Sequence, residues 1–195
     1  MELLERFLEY IAIDTTSNSK KNTNPSTKCQ LILAKKLVVE LKKLNINKIY
    51  FDEKNCYVYA ILEGDKKLPK LGFISHLDTS ENAIGKNIKP QIIKNYDGND
   101  IMLNNKKTLS PEIYPDLKNH IGKTLITTDG TTLLGADDKA GIAEIMSMLE
   151  YFVNSTETHG DIYVCFTPDE ELGLGTLNFN KEFFIPDIAY TVDGS

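Results

Sequence analysis

Tryptophan is absent from the chain, and arginine occurs once, as Arg6, against 21 lysines. A guanidinium clamp for a substrate carboxylate is therefore all but excluded from within the chain, because a lysine ammonium cannot reproduce the planar two-pronged fork. Cysteine is scarce. Cys29, Cys56 and Cys165 are odd in number and far apart, with no CxxC pair. That pattern excludes a disulfide framework and a thiolate zinc site, and a cytoplasmic protein is expected. No apolar run approaches the ~18 residues that span a bilayer, so no membrane partner is expected. The N-terminal stretch carries Glu2, Glu5 and Glu9 inside its apolar pattern and has no small-residue cleavage site, which excludes a signal peptide. Positive charge is in deficit: the formal net charge is −6, and no basic face offsets it, so nucleic acid is not expected as a partner. Neither a GxSxG nucleophile elbow nor a GK[ST] phosphate loop occurs. Gly173-Leu174-Gly175-Thr176 lacks the third glycine of a dinucleotide loop and follows acids that would repel a pyrophosphate.

What is present is an ordinary globular composition. At 195 residues and 41% apolar, the chain can bury roughly two-thirds of its unfolded surface and needs no staples. Leu3, Leu4, Phe7, Leu8 and Ile11 recur at helical spacing and predict a helix over 2–13. The stretch 14–28 is polar, contains Pro25 and reads as a loop. Ser26 or Thr27 then reads as the N-cap of a second helix ending near Asn45. Residues 48–51 and 57–62 read as a hairpin, and 71–77 as a buried strand. Residues 80–124 are weakly periodic, a long excursion of the kind that is functional or an embellishment. Asp129-Gly130 predicts a hairpin over 125–134. A third helix is expected at 139–152, and further buried strands at 162–166 and 188–192. The alternation of strands and helices implies an α/β fold with both sheet faces covered. Ligands then collect at the carboxyl ends of the strands.

At those ends the sequence places acids. One strand runs into His76-Leu77-Asp78, another into Asp169-Glu170-Glu171, and a third into Asp193; Asp137-Asp138 precedes the third helix. A single strand-end acid is ordinarily solvated or capping, and Asp138 could be the helix N-cap. Four acidic groups together with a histidine suit a two-metal hydrolase, because zinc takes imidazole nitrogen and carboxylate oxygen and a bridging carboxylate holds two ions close. Asp78, two residues from His76, suits orienting the imidazole. His120 and His159 read as surface or hydrogen-bonded residues, Cys165 as a small core residue, and Met146 and Met148 as helix packing.

Four motifs, His76-Leu77-Asp78-Thr79-Ser80, Leu134-Gly135-Ala136-Asp137-Asp138-Lys139-Ala140-Gly141, Thr167-Pro168-Asp169-Glu170-Glu171-Leu172-Gly173 and Thr191-Val192-Asp193-Gly194, together resemble the peptidase T family. These are tripeptide aminopeptidases of the di-zinc aminopeptidase, carboxypeptidase and deacylase clan. The resemblance extends through the segment around Leu109-Ser110-Pro111-Glu112. It implies a three-layer α/β/α sandwich with a mostly parallel central sheet, of which residues 1–195 would be the N-terminal portion of the catalytic domain. It implies that His76 and Asp193 bind one zinc, Glu171 a second, and that Asp137 bridges both. It further implies that Asp78 orients His76, that Glu170 is the general base acting on a metal-bridging water, and that the Asp137–Asp138 peptide is cis. Such enzymes carry a further His ligand and an inserted lid domain beyond the position of Asp193. That domain makes substrate contacts and a homodimer interface, and both features would lie outside this chain. A small peptide is the substrate so implied. A dipeptidase or N-acyl amino-acid deacylase of the same clan is the alternative, as is a truncated module serving only in folding or interaction.

Overall fold

The helix expected at the start forms as α1 (Leu3–Ile11), which buries Phe7, Tyr10 and Ile11 along one face. The computed structural model describes every residue except Asn105 and Ser195. The second helix, α2, runs Gln30–Lys43, two or three residues later than its cap signal implied. Ser26 does not cap it, because its hydroxyl and its N–H both bind the Asp169 carboxylate instead. The third, α3 (Ala136–Asn154), starts earlier than expected and is non-helical at Asp137 and Asp138. Arg6, buried in α1, bonds Glu40 of α2 at 2.8 Å and also pairs with Glu150 of α3. The one arginine thus ties three helices together and is withdrawn from ligand binding.

The strands in chain order are β1 (Lys48–Asp52), β2 (Tyr57–Leu62), β3 (Leu71–His76), β4 (Pro90–Ile93), β5 (Ile101–Asn104), β6 (Lys107–Leu109), β7 (Leu125–Thr128), β8 (Ile162–Thr167) and β9 (Ile188–Thr191). Five of them form one sheet in the order β1-β2-β8-β3-β9. It is a mixed sheet. β3 is parallel to β8 and β9, whereas β1–β2 and β2–β8 are antiparallel. The short turn between β1 and β2 allows only an antiparallel return, since a parallel one needs a crossover.

Alternation along the strands assigns the two faces. Ser75 of β3 bonds Asp138 of α3, so the helices lie on the face shared by Val58, Phe166 and Ser75. The opposite face carries Tyr57, Tyr59, Tyr163 and Cys165, and Phe179 and Phe184 from the irregular segment before β9 pack on it. The Tyr57 and Tyr59 hydroxyls accept the N–H groups of Asn178 and Asn180, at 3.2 and 2.8 Å. Among the described residues this second face is covered by an aromatic loop segment rather than by helices. β9 was expected to be buried; all four of its residues are exposed, because it is the sheet edge and pairs only with β3.

The chain divides into two compact units, Met1–Glu81 with Gly135–Ser195, and Asn82–Leu134. In the second, β4 pairs with β7 and β5 with β6, both antiparallel. The expected 125–134 hairpin does not form. Asp129 bonds the Thr131 N–H at 2.9 Å, a local turn that leads the chain away, and β7 finds its partner in the distant β4. No helix among the described residues is long and apolar enough to cross a membrane.

Candidate metal centre

β3, β8 and β9 run parallel, so their carboxyl ends open on one side. His76 is the last residue of β3 and is almost fully buried. Its Nε2 lies 2.8 Å from Asp137 Oδ1 and 3.8 Å from Asp193 Oδ1. One ligand atom from each of His76, Asp137 and Asp193 falls within 4.8 Å of the others, a spacing a single ion can bridge. Glu170 Oε2 is 3.9 Å from the same Nε2. Its carboxylate is half exposed.

Asp78, fully buried, organises both sides of this centre. His76 Nδ1 faces the Asp78 carbonyl at 3.0 Å and its carboxylate at 3.3 Å, which places the ring proton on Nδ1 and leaves Nε2 for a metal. The same carboxylate accepts the N–H of Glu170 at 2.9 Å and of Glu171 at 3.3 Å. Glu170 and Glu171 occupy a short 3-10 turn, Glu170–Leu172, framed by Asp169 and Gly173 in left-handed conformation. The carboxyl of Glu171 is held above its usual range by burial first and then by the charge of Asp137.

The Asp137–Asp138 peptide is cis. Gly135, not Asp138, stands at the cap position of α3, and no side chain caps that end. The buried Asp138 carboxylate accepts the Ser75 hydroxyl and the His76 N–H, the latter at 3.0 Å, and so fastens α3 to β3. Gly141 allows the approach: a Cβ there would collide with Val192 O, Asp138 Oδ1 and Ser75 Oγ. Lys139 is fully buried and donates to the Ile13 carbonyl at 2.6 Å. Sequence reasoning missed the roles of Ser75, Asp138, Lys139 and Asp169. Their partners lie far off in the chain, and no local pattern announces them.

Negative charge is concentrated around His76. Burial opposes the charged form of His76, yet the carboxylates of Asp78, Asp138 and Asp137 outweigh it and raise its pKa to about 10. Burial pushes Asp138 up to about 7, against its bonds from Ser75 and His76. Both groups therefore bind protons more tightly folded than unfolded. Asp138 withdraws stability as pH rises from about 4 to 7, and the favourable His76 contribution, complete below about 6.5, is lost toward 10. Lys139, lowered to about 8 by burial, works in the opposite direction above pH 8. The melting temperature of the metal-free chain is expected to fall between pH 6.5 and 8, and saturating zinc to remove the slope. A flat or rising profile in a thermal scan without metal would contradict this.

The fold and site define the class: an α/β domain with a histidine–carboxylate cluster at the carboxyl edge of a mixed sheet. No family model matches the chain. It is 57% identical to peptidase T of Caldanaerobacter subterraneus subsp. tengcongensis over 198 residues, covering 99% of this chain and 48% of that protein. Of solved structures, it resembles a tripeptidase from Staphylococcus aureus at TM-score 0.69 and 27% identity, over 99% of this chain and 43% of that one. An aminopeptidase from Bacillus cereus matches in fold at TM-score 0.71 and 24% identity, with the same coverage. In sequence the chain corresponds to the N-terminal half of peptidase T, and it spans about half the length of the curated relatives it matches.

Proposed function

We propose that the chain belongs to the catalytic domain of a zinc-dependent aminopeptidase that releases the N-terminal residue of tripeptides. The observation that supports this is the convergence of His76, Asp137 and Asp193 on one point, with Glu170 beside it, in a chain so similar to half of a peptidase T. One imidazole and several carboxylates are a donor set that zinc accepts, and the elevated pKa of His76 reports a surplus of negative charge that an ion would neutralise. His76, Asp137 and Asp193 would hold one ion; Asp137 and Glu171 would hold a second, whose remaining ligand comes from elsewhere in the complete protein. Zinc in this position supplies positive charge that polarises the scissile carbonyl and stabilises the developing oxyanion.

The chain's own residues do the rest. Glu170 takes the proton from the attacking water and passes it to the leaving amine. Asp78 holds the His76 ring and, through the two backbone N–H groups, the turn that presents Glu170 and Glu171. In the complete domain the sheet extends beyond β9 into a mostly parallel, three-layer sandwich, and an inserted lid domain supplies peptide contacts and a dimer interface. The test is to join the chain to the C-terminal half of a full-length relative and assay a tripeptide, a dipeptide and an N-acetyl amino acid. Preferential cleavage of the tripeptide is expected. Preference for either other substrate would reassign the enzyme within its clan, and a chain that folds but takes up no metal would be a non-catalytic module.

A further inference from the structure

The polar stretch from Ile13 to Gln30 looks like a connector between two helices, yet it is bonded to three of the four segments that carry the centre, the Asp193 segment being the exception. Near the Asp137–Asp138 pair, Lys139 donates to Ile13 O. Beside Asp78, the Thr79 N–H bonds Thr15 O at 3.2 Å, and the Ser17 N–H and hydroxyl bond Thr79 O at 3.0 and 3.1 Å. Next to Glu170 the tie is densest. The Asp169 carboxylate is fully buried and accepts four bonds: Asn24 Nδ2 at 3.0 Å, and Ser26 N–H, Ser26 Oγ and Gln30 Nε2 each at 2.6 Å. The Asp169 N–H returns a bond to Gln30 Oε1 at 3.3 Å.

A carboxylate taken wholly out of water is costly unless its lone pairs are filled. Here four donors from another part of the chain fill them. Asp169 has φ +52 and is followed directly by Glu170, so its anchorage sets where the Glu170–Glu171 turn begins. Asp78 holds the other side of that turn through the Glu170 and Glu171 N–H groups. The backbone of the two glutamates is thus gripped between two buried carboxylates, one on each flank.

We propose that Asp169 is a positioning residue, and that the Asn24–Gln30 segment it binds is a brace holding the Glu170–Glu171 turn in register with His76. The Asp169 carboxylate bonds Asn24, Ser26 and Gln30 and lies outside the His76–Asp137–Asp193 cluster. The inference relies on the peptidase reading for what the two glutamates do, but not for the brace itself.

The test uses Asp169→Asn in the chain as it stands. Asparagine keeps the size and tolerates the left-handed conformation, but offers one accepting oxygen where four donors converge on two, and carries no negative charge. Amide hydrogen exchange at Glu170 and Glu171 is expected to accelerate at least tenfold, while Val164, Cys165 and Phe166 of β8 stay protected. The absorption spectrum of bound cobalt(II) should change as the turn moves. Gln30→Glu, which sets carboxylate against carboxylate, should reproduce the effect without touching Asp169. The pair Asp169→Asn with Gln30→Glu should restore at least half of the lost protection, because an amide again donates to a carboxylate. In the complete enzyme kcat should fall tenfold or more with KM within twofold. Faster exchange confined to Ser26, with Glu170 and Glu171 unaffected, would overturn the proposal, as would an unrescued double variant. If Asp169→Asn fails to fold, Gln30→Glu alone decides by the same exchange readout. Loss of tripeptide hydrolysis by the wild-type enzyme would instead count against the peptidase reading and leave the exchange result standing.

Discussion

Glu170→Gln, in the complete enzyme, is expected to lower kcat by about 10²–10⁴-fold while zinc stays bound, because a carboxamide keeps the size of the side chain and cannot take a proton. The geometry supplies the reason for separating it from its neighbour. Glu170 Oε2 stands 3.9 Å from His76 Nε2 and is outside the set of three ligand atoms that converge on one point. Glu171 is more buried, and among charged groups Asp137, the residue proposed to bridge two ions, acts on it most strongly. Glu171→Gln should therefore lower occupancy of the second zinc before it alters proton transfer. The measurement is metal content by emission spectrometry beside kcat for both variants. Zinc lost from the Glu170 variant and retained by the Glu171 variant would reverse the two roles. Both residues sit in a 3-10 turn whose backbone Asp78 holds through their N–H groups.

The second large effect concerns the chain alone. Calorimetric titration is expected to find no more than one tightly bound zinc per chain, and no tripeptide hydrolysis. His76, Asp137 and Asp193 offer one ion three ligands already close together. The second ion would have only Glu171 and the Asp137 bridge, too few to hold zinc in a defined geometry. His76→Ala should abolish the remaining site, since it removes the one imidazole and the atom on which the carboxylates converge. The exposed β9, with Ile188 about half exposed and Tyr190 more so, offers an open edge that pairs readily with another chain. Sedimentation should accordingly detect association that grows with concentration and is relieved by a Tyr190→Lys change. Two tight zinc ions with turnover close to that of a full-length relative would show that the ligand set has been misread.

Local patterns determined the elements. Apolar residues at helical spacing marked α1 and the body of α3, and near-continuous apolar runs marked β3 and β8, because these signals need only the residues of one segment. The ligand types were legible for the same reason: a histidine and acids directly after strands can be seen without knowing which strands are neighbours. Pairing was not legible. Asp129-Gly130 is a hairpin signal, yet β7 took β4 as partner, and β9 looked buried but lies at an edge. Strand order depends on which faces meet after collapse, and no window of sequence contains that.

The sequence by itself therefore determined the α/β class and pointed to the candidate site residues His76, Asp78, Asp137, Glu170, Glu171 and Asp193. Tertiary structure alone decided which of those donors meet and what holds them there. It turned Asp138 from a supposed helix cap into a tie to Ser75 and His76, and Ser26 from a cap into a donor to Asp169. The physical reason is burial. A carboxylate on the surface is satisfied by water and needs no partner, whereas one enclosed by the fold must find donors wherever the chain brings them, and for Asp138 and Asp169 those donors lie 62 or more residues away.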